Sequence, residues 1–286
     1  MKQHRLSIVY PLVAAAFLCL PSSARPDDMA YVTTGTQAFG VVDLNTGVFT
    51  QRGVSSAYLY GFGEVNDVLY GASDVIHGAG STNTLYSINL SNGALTAVAT
   101  TSIEIYELGS TRTSLYALGP NFTDLYSINA QTGAATLIGP TGLGIGTTSG
   151  LSVGADALYV EISTAGGSTL YSLSTTTGSA TKLGTSPSGC IKSTAYEDFT
   201  LFGASGYCSS ASQIFAVNQA DGSSQLLANV TGFTDLNGLA PTVFPTASAT
   251  PEPGSGVLLL SGLAGLAFCV RRIASKSDRV SVHHRP

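Results

Sequence analysis

Apolar and polar residues alternate with a period of two through much of the chain, which predicts β-strands. Leu125, Ser127 and Asn129 alternate with Tyr126 and Ile128, the pattern of a strand with two different faces. Runs of this kind end in Asn, Asp or Ser, and a glycine follows four residues later. These residues suit hairpin turns, in which positive φ is common. The pattern predicts an all-β protein.

The hairpin pattern occurs five times. Residues 39–47, 85–93, 125–133, 170–178 and 214–222 align without gaps, and their closing glycines are 46, 40, 45 and 44 residues apart. This is the period of a four-stranded propeller blade. Another strand is predicted upstream of each hairpin, as at residues 115–117, and a strand of small residues precedes it, as at residues 150–153.

The first and last copies of the repeat are incomplete in a complementary way. Residues 236–240 repeat the small-residue strand without a hairpin after it, whereas the domain begins at Tyr31 without such a strand. If the last strand completes the first blade, residues 29–241 form a five-bladed β-propeller of four-stranded blades with ring closure, which removes both exposed edges. An open β-solenoid and a sandwich of hairpins are the alternatives.

The N-terminus has the three parts of a secretory signal peptide. Lys2, His4 and Arg5 precede an apolar stretch over residues 6–20, and small residues follow up to Ala24. This order predicts that residues 1–24 direct the chain to the general secretion machinery and that signal peptidase cleaves after Ala24. An uncleaved anchor helix is the alternative.

The C-terminus carries a second apolar segment. Residues 254–270 are uncharged and mostly apolar, which is near the minimum length for a transmembrane helix. The basic residues that follow predict that the tail, residues 273–286, is cytoplasmic and that the preceding domain lies outside the cytoplasm. Residues 242–250 are rich in Ser and Thr and are predicted to be a linker.

Pro251, Glu252 and Pro253, the apolar span, and then Arg271 and Arg272 together resemble the PEP-CTERM sorting signal of Gram-negative bacteria. The resemblance covers residues 251–272. It implies that the helix holds the chain in the inner membrane until exosortase, a membrane protease, recognises the Pro-Glu-Pro residues and releases the protein to the surface. Fourteen residues follow Arg272, whereas such chains normally end almost at once. A plain tail anchor is the alternative.

The net charge of −5 is unevenly distributed. Residues 29–250 contain four basic and thirteen acidic residues, a net charge of −9, while the other eight basic residues lie in the first 25 and last 16 positions. An acidic domain excludes a nucleic-acid binder that works through a basic face. The basic residues at the two ends are therefore assigned to membrane topology.

The exported segment offers few groups for catalysis. It contains one histidine, His77, and no Gly-x-Ser-x-Gly, phosphate-binding, dinucleotide-binding or calcium-loop motif. We therefore expect a non-catalytic protein without a cofactor or metal. The alternative is a carbohydrate-active, glycosidase-like enzyme in which Glu161 acts with Glu104 or Glu107 in the central channel, because glycosidases use two carboxylates roughly 5–10 Å apart.

Two further sets of residues carry structural expectations. Cys190 and Cys208 bracket two predicted strands, and the oxidising compartment favours a disulfide between them over two free thiols. Tyrosines at repeated strand positions are predicted to pack between blades, with stacking on sugars as the alternative; they are Tyr60, Tyr70, Tyr86, Tyr116, Tyr126, Tyr159 and Tyr171.

PEP-CTERM signals are associated with extracellular polysaccharide and biofilm matrix. The resemblance therefore implies a binding or adhesion role at the cell surface or in that matrix, with exopolysaccharide as a partner. A display scaffold without a ligand is a further alternative. No residue pattern in the sequence identifies a ligand.

Overall fold

A computed structural model describes residues 28–73, 83–144, 148–153, 157–164, 167–186, 191–197, 200–205, 212–232 and 235–242. These residues form twenty β-strands and one short 3-10 helix, Pro120–Phe122. The strands pair into five antiparallel sheets of four strands each, so the predicted all-β fold with five four-stranded blades is confirmed.

Each sheet is one blade, in which the strands follow one another from the centre of the ring outward. Blade 1 contains β20 (Leu236–Pro241), β1 (Met29–Thr34), β2 (Ala38–Asp43) and β3 (Phe49–Val54). Blade 2 contains β4 (Leu59–Val65), β5 (Val68–Ser73), β6 (Thr84–Ile88) and β7 (Leu95–Thr100). Blade 3 contains β8 (Glu107–Ser110), β9 (Leu115–Leu118), β10 (Asp124–Ile128) and β11 (Ala135–Pro140).

The last two blades follow the same order. Blade 4 contains β12 (Thr148–Leu151), β13 (Leu158–Thr164), β14 (Gly167–Leu173) and β15 (Ala180–Ser186). Blade 5 contains β16 (Ile191–Glu197), β17 (Thr200–Ser205), β18 (Gln213–Val217) and β19 (Ser224–Asn229).

The C-terminal strand closes the ring. β20 pairs antiparallel with β1, with Tyr31 opposite Ala240 and Val32 opposite Leu239. The innermost strands of the five blades also contact one another in cyclic order, β20 to β4, β8, β12, β16 and back to β20. Ring closure by the last strand is therefore confirmed over the open solenoid and the sandwich.

The repeated hairpin is built around a side chain that caps its own turn. Asn129 Oδ1 accepts hydrogen bonds from the N–H groups of Gln131 (2.9 Å) and Thr132 (3.0 Å). The Gly133 N–H donates to the Asn129 carbonyl oxygen at 2.8 Å, with Gly133 at a φ of 66°. The Asn-to-Gly spacing in the sequence is thus a turn in which only glycine adopts the last conformation without strain.

The same glycines touch the neighbouring blade. A Cβ at Gly222 would lie 2.7 Å from the carbonyl carbon of Gly184, on the outer strand of blade 4, and a Cβ at Gly133 would lie 2.9 Å from the carbonyl oxygen of Thr100 in blade 2. Gly47 contacts the backbone of Asn229 and so joins blade 1 to blade 5. These turns therefore act as contacts between blades as well as ends of hairpins.

The apolar core of the described residues consists of five buried clusters, one between each pair of adjacent blades. Six of the seven repeated tyrosines lie in these clusters or pack against them: Tyr70, Tyr86, Tyr116, Tyr126, Tyr159 and Tyr171. The predicted packing role is confirmed for these six. Tyr60, on the innermost strand β4, is not part of these clusters.

Candidate functional site

A polar cluster lies at the end of the ring at which the innermost strands begin. We call it the channel mouth and define it by Tyr58, Tyr60, Lys192, Asp235 and Asn237. Tyr60, Lys192 and Asn237 belong to the innermost strands β4, β16 and β20, and Tyr58 and Asp235 directly precede β4 and β20. Three neighbouring strands that are far apart in the sequence thus contribute to one surface.

Asn237 holds the cluster together. Its side chain is 4% exposed, and its Nδ2 donates a hydrogen bond to the Tyr58 hydroxyl oxygen at 2.5 Å. Its Oδ1 accepts a hydrogen bond from the Lys192 ammonium group, and its backbone carbonyl accepts one from Thr33 Oγ1 at 3.2 Å. Because the amide is bonded at both ends, it fixes Tyr58 and Lys192 relative to each other.

Lys192 and Asp235, the two charged residues of the channel mouth, form an ion pair. Lys192 Nζ lies 3.6 Å from Asp235 Oδ1, and these two side chains are 15% and 31% exposed. The Asp235 carbonyl accepts a hydrogen bond from the Gly35 N–H at 3.0 Å, and the Asp235 carboxylate lies where a side chain at position 35 would stand. Glycine at that position therefore leaves space for the ion pair.

Irregular pairing directs side chains to the mouth. The register of β16 shifts between Ile191 and Ser193, so that Ile191 is buried between blades 4 and 5 while Lys192 reaches Asn237 of blade 1. The register of β4 shifts between Tyr60 and Phe62. Bulges of this kind re-aim side chains and occur next to functional sites.

Two aromatic rings complete the surface. The centroids of Tyr58 and Tyr60 are 5.6 Å apart and the ring planes are inclined at 77°, an edge-to-face contact. Both side chains are only half-buried, so that they present apolar ring surface beside polar groups. The two half-buried phenol rings therefore lie beside the ion pair of Lys192 and Asp235 at this surface.

The sequence analysis did not select Tyr58, Lys192 or Asn237 as a site. One signal was available, because Lys192 is one of only four basic residues between positions 29 and 250. Two of the others, Arg52 and Lys182, lie on the outer strands β3 and β15. A basic residue on an innermost strand therefore stands out once the strand order is known.

Glu161, the first carboxylate of the enzyme alternative, is enclosed between blades. It lies on β13, the second strand of blade 4, opposite Gly150 and Leu170. Its side chain is 0% exposed, and neither carboxylate oxygen has a hydrogen-bond partner among the described residues. Burial raises the pKa of Glu161 to about 8. Tyr159, on the same face of the strand, packs against the cluster between blades 4 and 5, so Glu161 does not line the channel.

The other two carboxylates occupy different surroundings. Glu107 begins β8 and is buried, with its Oε2 3.0 Å from where a Cβ at Gly61 would lie. Glu104 is half-buried in the segment before β8. Glu107 thus lies at the mouth end of the ring, next to β4, whereas Glu161 lies on the face of blade 4 that packs against blade 5.

A groove of about 570 Å³ lies at the opposite ends of the strands of blades 2 and 3. Its wall includes Val65, Ser127, Asn129 and Gln131, and none of the described residues that line it is charged. It contains none of the residues predicted to be functional.

Several predicted residues lie outside the described part of the chain. They are the sorting residues Pro251, Glu252, Pro253, Arg271 and Arg272, the cysteines Cys190 and Cys208, the signal peptide at residues 1–24, and the apolar span at residues 254–270. In the described ranges, no helix has the length and apolarity needed to cross a membrane. The same ranges contain no group of three or more His, Cys, Asp or Glu side chains arranged to hold a metal ion.

Comparison with known proteins identifies the C-terminal segment. Residues 249–273 match the PEP-CTERM protein-sorting motif, which confirms the resemblance seen in the sequence. The motif implies an exported protein that is sorted by exosortase, a membrane protease, and passes through a membrane-anchored stage before its release at the surface. No curated protein matches the chain.

Solved structures resemble the chain in fold. A chain in the crystal structure of a nidogen/laminin complex is 10% identical with a TM-score of 0.50, over 76% of this chain and 98% of that one. TolB from Acinetobacter baumannii is 13% identical with a TM-score of 0.45, over 73% and 54% of the two chains. A putative 6-phosphogluconolactonase from Bacteroides fragilis is 13% identical with a TM-score of 0.43, over 77% and 99%. At these identities the similarity is one of fold alone.

Proposed function

We propose that the protein is a non-catalytic component of the cell surface or extracellular matrix, and that it binds exopolysaccharide at the channel mouth. The observation that carries the proposal is the sorting motif at residues 249–273, because export to the surface would bring the propeller to where such polymers are found. The channel mouth supplies the surface on which binding would occur.

The chemistry of the channel mouth suits a neutral sugar. Each sugar ring presents hydroxyl groups at its edge and an apolar face, and the half-exposed rings of Tyr58 and Tyr60 provide an apolar surface for that face. Lys192 and Asp235 supply a donor and an acceptor without net charge. A strongly anionic polymer would have to compete with Asp235 for the Lys192 ammonium group.

The site is also rigidly supported. Its side chains stand on or directly before the innermost strands, and the Asn237 amide bonds to both Tyr58 and Lys192. Binding groups fixed by hydrogen bonds on regular elements lose little conformational entropy when a ligand binds. This support favours a binding role for the mouth.

A polysaccharide-binding assay with matched variants tests the proposal. Matrix polysaccharide extracted from the native host is immobilised, and binding of the mature exported protein is measured for the wild type, Lys192→Met and Tyr60→Ala. Lys182→Met is the control, because Lys182 is an exposed lysine on the outer strand β15.

We expect the wild type and Lys182→Met to bind equally, and the two mouth variants to bind at least about tenfold more weakly, the effect of losing roughly 1.4 kcal/mol. Equal binding by all four proteins would place the ligand elsewhere. Absence of binding by the wild type to any fraction of the matrix would favour the display scaffold.

The glycosidase-like alternative makes a different prediction. It requires Glu161 to act as an acid with Glu104 or Glu107, and therefore predicts that the protein releases new reducing ends from the polysaccharide and that Glu161→Gln abolishes this release. We expect no release by the wild type. Measurable release that disappears in Glu161→Gln would establish the enzyme.

A further inference from the structure

Glu161 departs from the pattern of its own repeat. The equivalent position, two residues after the aromatic residue of each second strand, pairs with a large apolar residue of the third strand in every blade. The pairs are Thr33 with Phe39, Ala72 with Leu85, Leu118 with Leu125, Glu161 with Leu170, and Ala204 with Ile214. Blade 4 thus has an ionisable residue where the other four blades have a small or apolar one.

The described surroundings of Glu161 offer nothing to neutralise a charge. We call the contact between blades 4 and 5 the seam; its buried residues are Leu170, Ile191, Leu201, Phe215 and Val217. The carboxyl group is 0% exposed, and neither oxygen has a hydrogen-bond partner in the part of the chain that the structure describes. The Thr194 hydroxyl, on the adjacent strand β16, donates instead to the Gly150 carbonyl oxygen at 3.2 Å.

The described charged and titratable groups of the packed strands do not compensate Glu161. Tyr159 and Tyr196 pack against the seam, and neither side chain carries a positive charge. Lys192, on β16, directs its ammonium group to Asn237 and Asp235. Within the described residues of β12, β14 and β17, the one ionisable side chain is Tyr171, which packs against the cluster between blades 3 and 4.

We propose that Glu161 makes the seam between blades 4 and 5 a pH-dependent latch, held closed by the protonated carboxyl group and opened when that group ionises. A buried carboxylate without a partner is strongly disfavoured, so ionisation requires the seam to separate and admit water. Blade 3 has Leu118 at the same position, where no group can ionise.

The direction of the effect follows from burial. Desolvation raises the pKa of Glu161 from 4.5 to about 8 in the closed seam. In the opened seam the carboxyl group meets water and has its ordinary pKa. The seam is most stable below pH 4.5, loses stability as the pH rises towards 8, and loses no more above that value. The opening equilibrium constant increases up to about tenfold per pH unit within that window.

Opening of the seam has a consequence for the channel mouth. Strand β16 carries both Ile191, which is buried in the seam, and Lys192, which belongs to the mouth. Separation of blade 5 from blade 4 would therefore displace Lys192. This consequence depends on the proposed function, whereas the latch itself does not and is tested without any ligand.

Amide hydrogen exchange of the mature exported protein tests the latch. Protection factors, corrected for the intrinsic dependence of exchange on pH, are compared at pH 6 and pH 8 for each blade. We expect protection in β13 and β16 to fall by about 50-fold over this range, and to stay below that of the slowest-exchanging amides of blades 2 and 3, which exchange by global unfolding. In Glu161→Gln the fall should disappear.

Two further variants keep the test decisive. Glu161→Leu introduces the side chain that Leu118 has at the equivalent position of blade 3, and it is used if Glu161→Gln does not fold. It should also abolish the pH dependence of protection at the seam. Glu64→Gln is the control, because Glu64 is a buried carboxyl group in blade 2 whose Oε1 accepts a hydrogen bond from the Asp67 N–H. It should leave the behaviour of the seam unchanged.

Two results would overturn the proposal. One is a loss of protection at the seam that is the same in the wild type and in both Glu161 variants. The other is protection in β13 and β16 that equals that of the slowest-exchanging amides of the other blades at both pH values, since that would report global unfolding rather than opening of one contact.

Discussion

Replacement of Gly222 by alanine tests whether the turn glycines hold adjacent blades together. Gly222 closes the hairpin of blade 5 at a φ of 66°, and an added Cβ would lie 2.7 Å from the carbonyl carbon and 2.9 Å from the carbonyl oxygen of Gly184. Gly184 cannot retreat easily, because it pairs with Leu170 beside a register shift in β15. The substitution therefore combines backbone strain with a clash between blades.

Gly142→Ala is a control that introduces backbone strain without a clash between blades. Gly142 has a φ of 70°, and an added Cβ there would meet nothing within 4 Å. A left-handed conformation costs a non-glycine residue about 1–2 kcal/mol, and overpacking a close contact typically costs about 1–3 kcal/mol more. We expect Gly142→Ala to lose about 1–2 kcal/mol and Gly222→Ala about 2–5 kcal/mol of unfolding free energy.

Urea denaturation of the purified protein measures both values. The slopes of the unfolding free energy against urea should agree among the wild type and the two variants, so that midpoints compare stability directly. If Gly222→Ala loses no more than Gly142→Ala, the glycine turn contributes nothing to the contact between blades, and the repeated glycine serves the turn alone.

Three further predictions concern ring closure, pH and the cysteines. Leu239→Ala should lower the unfolding free energy, measured by thermal unfolding, by about 2–5 kcal/mol, because Leu239 is 1% exposed in the strand that closes the ring. A loss below about 0.5 kcal/mol, which is typical of surface sites, would contradict closure. Since burial raises the pKa of Glu161 to about 8, the unfolding free energy should fall by about 1.4 kcal/mol per pH unit between roughly pH 4.5 and 8, and Glu161→Gln should flatten this dependence. Thiol titration of the mature protein should find Cys190 and Cys208 only after reduction; thiols that react without reductant would exclude the disulfide.

The blades were predictable because their determinants are local. A turn such as Asn129 to Gly133 uses residues four apart, and alternation over five residues identifies a strand. Ring closure followed from the phase of the repeat, since the unpaired strand at residues 236–240 matches the strand missing before Tyr31. These features need no knowledge of which blades are in contact.

The channel mouth could not be predicted in the same way. Tyr58 and Asn237 are 179 positions apart and meet only because the last strand pairs with the first blade. The shift of β16 around Lys192 has no mark in the sequence. The burial of Glu161, by contrast, was accessible from alignment of the repeats, since its counterparts include Ala72, Leu118 and Ala204.

Export and sorting are the foundation of the proposed function, and the mass of the mature protein tests them most directly. Intact-mass and terminal-peptide mass spectrometry of the protein recovered from the cell surface or the medium should find an N-terminus at Arg25. It should also find a C-terminus that lies before Val257, because processing at the Pro-Glu-Pro residues removes the apolar span. A mature chain that retains residues 257–286 would contradict sorting and leave a tail-anchored propeller.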